Sequence, residues 1–270
     1  GVFAFIYKVK VEDNGHGYMC LDKFKGRMVL QGNWTSKFID WMTSHAPTCS
    51  FDACRAAMAL LTIGDLGAWA GDFIGAFSQS PNEHKHMHGT FPNGFKKYVN
   101  GVEMGMHFQK TLYGMVQAAR NWFHHLKNWM LKESKFKWTQ LGSDQCVFYC
   151  THGKEFAILL LYVDDVICLS TSEDLKIKIF AEIKSNFEFE DKGKLKYFLG
   201  TSIKRDREAR RTTLDMKAYI NDKLNLFNLV GKRSYTTAII DGDLVDVGAT
   251  LEGAQATEYR AMVGALLWDG

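Results

Sequence analysis

The chain has 270 residues, 46% of them hydrophobic and 23% charged, with a formal net charge of +3. That composition excludes global disorder, and the length allows one large domain or two modest ones. The charge permits an anionic partner without demanding one. The longest apolar run, Phe156 to Val163, is far too short to span a membrane. Six cysteines are present with no C-x-x-C pair, and no signal-peptide pattern opens the chain. They read as small core residues of a reduced, intracellular protein.

In chain order, "FAFIYKVK" and "FKGRMVLQGNW" read as a hairpin or meander turned at Asn14-Gly15. "FDACRAAMALLTIG" has helical spacing, with Ser50 as N-cap and Gly64 as stop. "AWAGDFIGAFSQS" reads as a strand that loses its pattern after Phe77, and "EHKHMHGTFPNGF" as loop or short strand. "AARNWFHHLKNWMLKESKF" is an amphipathic helix with Trp122, Leu126, Trp129 and Met130 on one side. "QCVFYCTHGKEFAILLLYV" reads as strand, turn and strand. "DLKIKIFAEIKSNF" reads as a second amphipathic helix, using Leu175, Ile179, Ile183 and Phe187. "KLKYFLGTSIKRD" and "TTLDM" read as strands around a charged turn, and Ala218 to Val230 as a third helix. Beyond Gly231 the pattern weakens, and "DGDLVDVGATLEGAQ" reads as loop. Helices and hairpins without a regular βαβ rhythm favour an α+β fold, with helices on one face of an antiparallel sheet.

The chemistry points to "FAILLLYVDDVICLS", an apolar hairpin whose tip is Asp164-Asp165. Most Asp-Asp pairs are solvated turns. Here the flanks are apolar, and the turn lacks the Gly or Asn that such hairpins favour, so backbone strain is expected. Adjacent carboxylates repel until cations neutralise them, and their hard oxygens suit Mg²⁺ or Mn²⁺. Two-metal phosphoryl transfer needs a further acid from another strand. Asp72 in "GDFIGAF" is the best candidate, because an unpaired acid within an apolar strand is costly, although the residues by themselves favour a strand-end aspartate facing solvent.

At this point a resemblance enters. "YVDD" between apolar strands resembles the catalytic hairpin of reverse transcriptases. "KGRMVLQG", "APTCSFDACRAAMAL", "DFIGAF", "KTLYGMVQAARNW", "SDQCVF", "LLYVDD", "FEFEDKGKLKYFLGTSI" and "YRAMVGALLW" follow in the order found in the Pol polyproteins of copia-type LTR retrotransposons. The resemblance covers nearly the whole chain. It implies a right-hand polymerase: fingers from residues 2–65 and 81–112, palm from 66–80 and 113–203, and a partial thumb from 204–245. Residues 246–270 would begin the connection toward a ribonuclease H domain. The implied activity is RNA-directed DNA synthesis on an RNA or DNA template with a primer, using dNTPs and two Mg²⁺ or Mn²⁺ ions. No membrane is involved, and the implied location is the cytoplasmic virus-like particle of the element. A decayed element that keeps an inactive nucleic-acid-binding fold is the alternative.

The resemblance also implies roles. Asp72, Asp164 and Asp165 would be catalytic metal ligands, joined by the backbone carbonyl of Phe73. Phe77 would exclude a 2′-hydroxyl, although composition alone reads it as core. Lys25 and Arg27 share a strand face and suit a triphosphate, or face solvent. Gln117 would lie near the dNTP and template base, and Tyr162 and Val163 near the primer terminus. Lys194 and Lys196 could contact phosphates, as could "KRDREARR", unless that run is a solvated turn. Trp122 reads as core, and Ala119 stands where the family usually has proline. His84, His86 and His88 alternate and could bind zinc on a strand, but the reading preferred is an exposed fingers loop.

Overall fold

In a computed structural model the described residues are 3–13, 19–32, 35–37, 41–84, 87–92, 94–232 and 252–269. For 3–13, 19–27 and 268–269 the description covers the backbone only. The Asn14-Gly15 turn, the side chains of Lys25 and Arg27, and His86 lie outside it. The chain divides into two compact units, residues 1–195 with 206–211, and residues 196–205 with 212–270.

The first unit opens with a long hairpin, β1 (Phe3–Asp13) and β2 (Met19–Leu30), in which Lys25 pairs with Lys8 and Arg27 with Ile6. Helix α1 (Phe51–Ile63) follows. Ser50 caps it by accepting from the Ala53 N–H, and Gly64 ends it, as the sequence pattern predicts. Strand β3 (Gly67–Phe73) comes next. It stops four residues earlier than the pattern suggested. Gly75 adopts a left-handed conformation with φ of 62° and turns the chain into the short helix α2 (Ala76–Gln79). Two small hairpins then form, β4 (His88–Thr90) with β7 (Gly105–His107), and β5 (Tyr98–Val99) with β6 (Val102–Glu103).

Helix α3 (Ala118–Lys132) buries Trp122, Leu126, Trp129 and Met130 on one stripe, as its spacing requires. After β8 (Thr139–Gln140) come β9 (Val147–His152), β10 (Glu155–Tyr162) and β11 (Asp165–Ser170). Helix α4 (Glu173–Asn186) buries Leu175, Ile179 and Ile183, with Ser172 as its N-cap. Strand β12 (Phe189–Lys194) is absent from the sequence expectation. It completes a six-stranded sheet ordered β12-β3-β11-β10-β9-β8, with every pairing antiparallel.

One face of this sheet is covered by helices. Phe73 of β3 meets Trp122 of α3 edge-on at 4.9 Å, and Phe189 of β12 meets Phe180 of α4 at 5.0 Å. Leu159, Leu161, Val166 and Cys168 are buried. Cys49, Cys146 and Cys150 are buried too, matching their reading as small core residues. The second unit holds the small sheet of β13 (Tyr197–Phe198), β14 (Thr201–Asp206) and β15 (Arg211–Asp215). Helices α5 (Lys217–Leu226) and α6 (Gly253–Asp269) follow. The stretch read as loop to Gln255 gives way to helix at Gly253. The architecture is α+β with an antiparallel sheet and, among the described residues, six helices.

Candidate active site

The apolar hairpin β10–β11 pairs tightly, Leu161 with Val166 and Tyr162 with Asp165, leaving Val163-Asp164 as a two-residue tip. Val163 has φ of 58°. A β-branched residue is strained in that region, because Cβ crowds its own backbone. The anticipated strain is present, and the structure also holds the turn in place. The Trp122 indole N–H donates to the Val163 carbonyl at 2.8 Å, and the Phe73 N–H donates to the Asp164 carbonyl at 2.8 Å.

Because β11 pairs with β3, Asp165 lies directly opposite Asp72. Opposed residues of an antiparallel pair share a face of the sheet. Asp164 adjoins on the tip, so the three predicted acids meet at one end of the sheet. Asp165 as a residue is exposed, yet partial loss of water around its carboxyl pushes it up to about 6. The charges of Asp164 and Asp72 act in the same sense, and Lys192 opposes them. The Lys192 ammonium lies 3.7 Å from Asp72 Oδ2 and contacts Glu190 more closely. Sequence reasoning passed over both residues. On the other flank, Glu190 lies opposite Asp72, so Glu190, Asp72 and Asp165 form a row across three strands.

Two features fit β12 against β3. The Gln79 side chain brackets Glu188, accepting from its N–H at 2.8 Å and donating to its carbonyl at 3.0 Å. Gly71 leaves room for the Phe189 ring, whose Cζ would stand only 2.1 Å from a Cβ at that position.

Phe73, whose carbonyl is a predicted ligand, is buried. Phe77 is half-buried and its ring lies 4.8 Å from that of Tyr113. Gln117, the N-cap of α3, is 1% exposed, with Nε2 3.5 Å from Met87 Sδ and Oε1 without a hydrogen-bond partner. One turn on, Asn121 is also buried with both amide atoms unpartnered. Two orphaned amides mark polar space that a ligand group or water would satisfy. Lys194 is exposed and pairs in register with Trp69, on the face opposite Asp72. Lys196 is exposed and belongs to the second unit. His88 stacks on His107 at 4.9 Å.

Among the described residues no three His, Cys, Asp or Glu side chains are already drawn together tightly enough to hold a metal. The donor set nevertheless fits a hard divalent cation. Its donors are carboxylate oxygens, two of them opposed across adjacent strands, and loss of water first and mutual repulsion second raise the Asp165 carboxyl.

The family model of reverse transcriptase (RNA-dependent DNA polymerase) matches residues 3–241, and the chain belongs to that family. Among curated proteins it is similar to the retrovirus-related Pol polyprotein from transposon TNT 1-94 of Nicotiana tabacum, 28% identical over 87% of this chain and 17% of the relative. It is 26% identical to the corresponding polyprotein from transposon RE1 of Arabidopsis thaliana, over 91% of this chain and 16% of the relative. The resemblance to copia-type Pol polyproteins is thereby borne out, and the chain spans about a sixth of the length of these relatives. Among the described residues no helix is long and apolar enough to cross a membrane.

Proposed function

We propose that the chain is an RNA-directed DNA polymerase that extends a primer with dNTPs on an RNA or DNA template. The observation that carries the reading is the register of Asp72 against Asp165, with Asp164 tied to the same strand through the Phe73 N–H. In this reading the sheet is the palm of a right hand. Residues 2–65 and 81–112 are the fingers, and the thumb begins near residue 204. The setting is the cytoplasmic virus-like particle of the element.

Asp72, Asp164, Asp165 and the Phe73 carbonyl would hold two Mg²⁺ or Mn²⁺ ions, which supply Lewis-acid stabilisation of the attacking and leaving oxygens. The reaction is in-line attack of the primer 3′-hydroxyl on the dNTP α-phosphate, with pyrophosphate leaving. The protein's share is positioning. The Val163 turn, clamped by Trp122, fixes where the two tip acids point. Tyr162 and Val163 set the primer terminus beside them. Phe77, backed by the Tyr113 ring, closes the space a 2′-hydroxyl would need. Lys25 and Arg27 would supply charge for the triphosphate, and Gln117 offers its amide to the nucleotide and template base.

The test is dNTP incorporation on an RNA template with a DNA primer, comparing wild type with Asp164→Asn. Incorporation by wild type alone is expected. Incorporation that survives the substitution sinks the mechanism, and none by either protein points to a decayed element.

A further inference from the structure

β12 is an edge strand with one residue too many. Its register against β3 runs Phe189–Phe73, Glu190–Asp72, Asp191–Gly71 and then Gly193–Ala70, so Lys192 is the extra residue of a bulge. Side chains of a strand alternate between faces, and a bulge breaks the alternation once. Glu190 therefore shares the face of Asp72. Asp191 points to the helix-covered face, where it binds the Lys176 ammonium. Lys192 returns to the face of Asp72. Gly193, with φ of 79°, takes the next place on that same face without a side chain, and Lys194 falls on the other side with Trp69. The bulge thus adds one cation to the acidic face.

A half-exposed lysine beside one carboxylate contributes little. Two things set Lys192 apart. The backbone, not only a rotamer, delivers it to that face, and two carboxylates hold it, Glu190 closely and Asp72 at 3.7 Å. Its ammonium is a compact charge on a flexible stem, able to leave one carboxylate while keeping the other.

We propose that Lys192 is a built-in counter-ion of the acid row, neutralising Asp72 while no divalent cation is bound and withdrawing onto Glu190 when one enters. This rests on the reading of Asp72 as a metal ligand. The ammonium holds the repelling carboxylates together in the metal-free protein, and a divalent cation must compete with it for Asp72. Lys192 therefore lowers metal affinity and stabilises the empty site, and Glu190 is the position to which it retreats.

Mn²⁺ binding to the full chain, followed by loss of the free-ion electron paramagnetic resonance signal, tests this without any polymerase readout. Lys192→Met keeps the stem and removes the charge, and Lys192→Gln is a second variant should the first fail to fold. Either is expected to bind Mn²⁺ about fivefold more tightly, the equivalent of one surface ion pair. Each should also melt lower without Mn²⁺ and gain more on its addition. Lys194→Met, on the opposite face of the same strand, removes an equal charge and is the control. A Lys192 variant that binds no more tightly than Lys194→Met overturns the proposal. The double variant Asp164→Asn, Asp165→Asn separates the two readings. If it binds Mn²⁺ like wild type, the metal-ligand reading fails and takes the counter-ion with it. If it loses binding while the Lys192 variants match the control, the counter-ion alone fails.

Discussion

The Trp122 indole N–H donates to the carbonyl oxygen of Val163 at 2.8 Å, joining the second turn of helix α3 to the one residue of the acidic hairpin tip with positive φ. Trp122 is only 1% exposed, and its ring also meets Phe73 and Phe187. It is thus at once a core side chain and the clamp on a strained turn. Trp122→Phe keeps an aromatic ring in the core and removes the donor. A loss of about 2 kcal/mol in denaturant unfolding is expected, with weaker Mn²⁺ binding as the tip loosens. Unchanged Mn²⁺ affinity would show that the turn holds without its clamp.

The raised carboxyl of Asp165 gives the fold a pH dependence of definite sign. Its folded value is pushed up to about 6 by burial and then by Asp164 and Asp72, while an unfolded aspartate titrates near about 4. Between those values the folded chain keeps a proton that the unfolded chain releases. The associated stability is full below about pH 4 and is lost as pH rises through about 6. Asp165→Asn should abolish that loss, so its melting temperature should gain on wild type from pH 4.5 to 7. A constant difference across that range contradicts the assignment.

Gly71 predicts a steric failure. An alanine Cβ there would meet Phe189 Cζ at 2.1 Å, forcing β12 away from β3. Gly71→Ala should cost about 1–3 kcal/mol, typical of overpacking, and Phe189→Leu in the same chain should recover part of it. Calorimetry of the single and double variants decides, and additive losses would rule the clash out.

Lys176 predicts the behaviour of the helix-covered face. It is buried on α4, binds Asp191 of β12, and lies over the Trp69 and Phe180 rings at 5.8 and 4.7 Å. Burial alone would push the Asp191 carboxyl up. Hydrogen bonds from Lys176 and the Gly193 N–H, with the Lys176 charge, hold it below the usual range instead. That contribution is present above about pH 4 and is lost as pH falls through the folded value. Lys176→Met should lose about 1–3 kcal/mol at pH 7 and show a smaller further loss in acid than wild type. An equal acid loss in both proteins would place the stabilising charge elsewhere.

Much of the fold was legible because long elements repeat their signal. Ser50 and Gly64 bound α1, the Trp122–Met130 stripe marks α3, and the apolar runs around Gly153 mark β9 and β10. β12 was not legible. Its alternation is short, and the Lys192 bulge breaks it before it repeats. The end of β3 was missed because Ile74 and Phe77 continue an apolar run past the turn at Gly75. Of the acids, Asp164 and Asp165 stood out by their place at the tip of an apolar hairpin, and Asp72 was named through the resemblance to the family's ordered motifs. Glu190 and Lys192 could not, because their place beside Asp72 depends on a register across strands far apart in sequence. Helical spacing likewise marked Trp122 as core but carried no sign of the carbonyl that its N–H reaches.

The position of β3 has a consequence in time. It is made early in the chain, yet both its neighbours come roughly a hundred residues later, β11 at Asp165–Ser170 and β12 at Phe189–Lys194. Bringing such distant segments together carries the loop-closure entropy that slows folding. A nascent chain emerging from the ribosome therefore carries Asp72 on an unpaired strand until residue 170 is out, and on a strand paired on one side only until residue 194 follows. The acid row is among the last parts of this unit to assemble, and any product that stops before β12 lacks both Glu190 and Lys192.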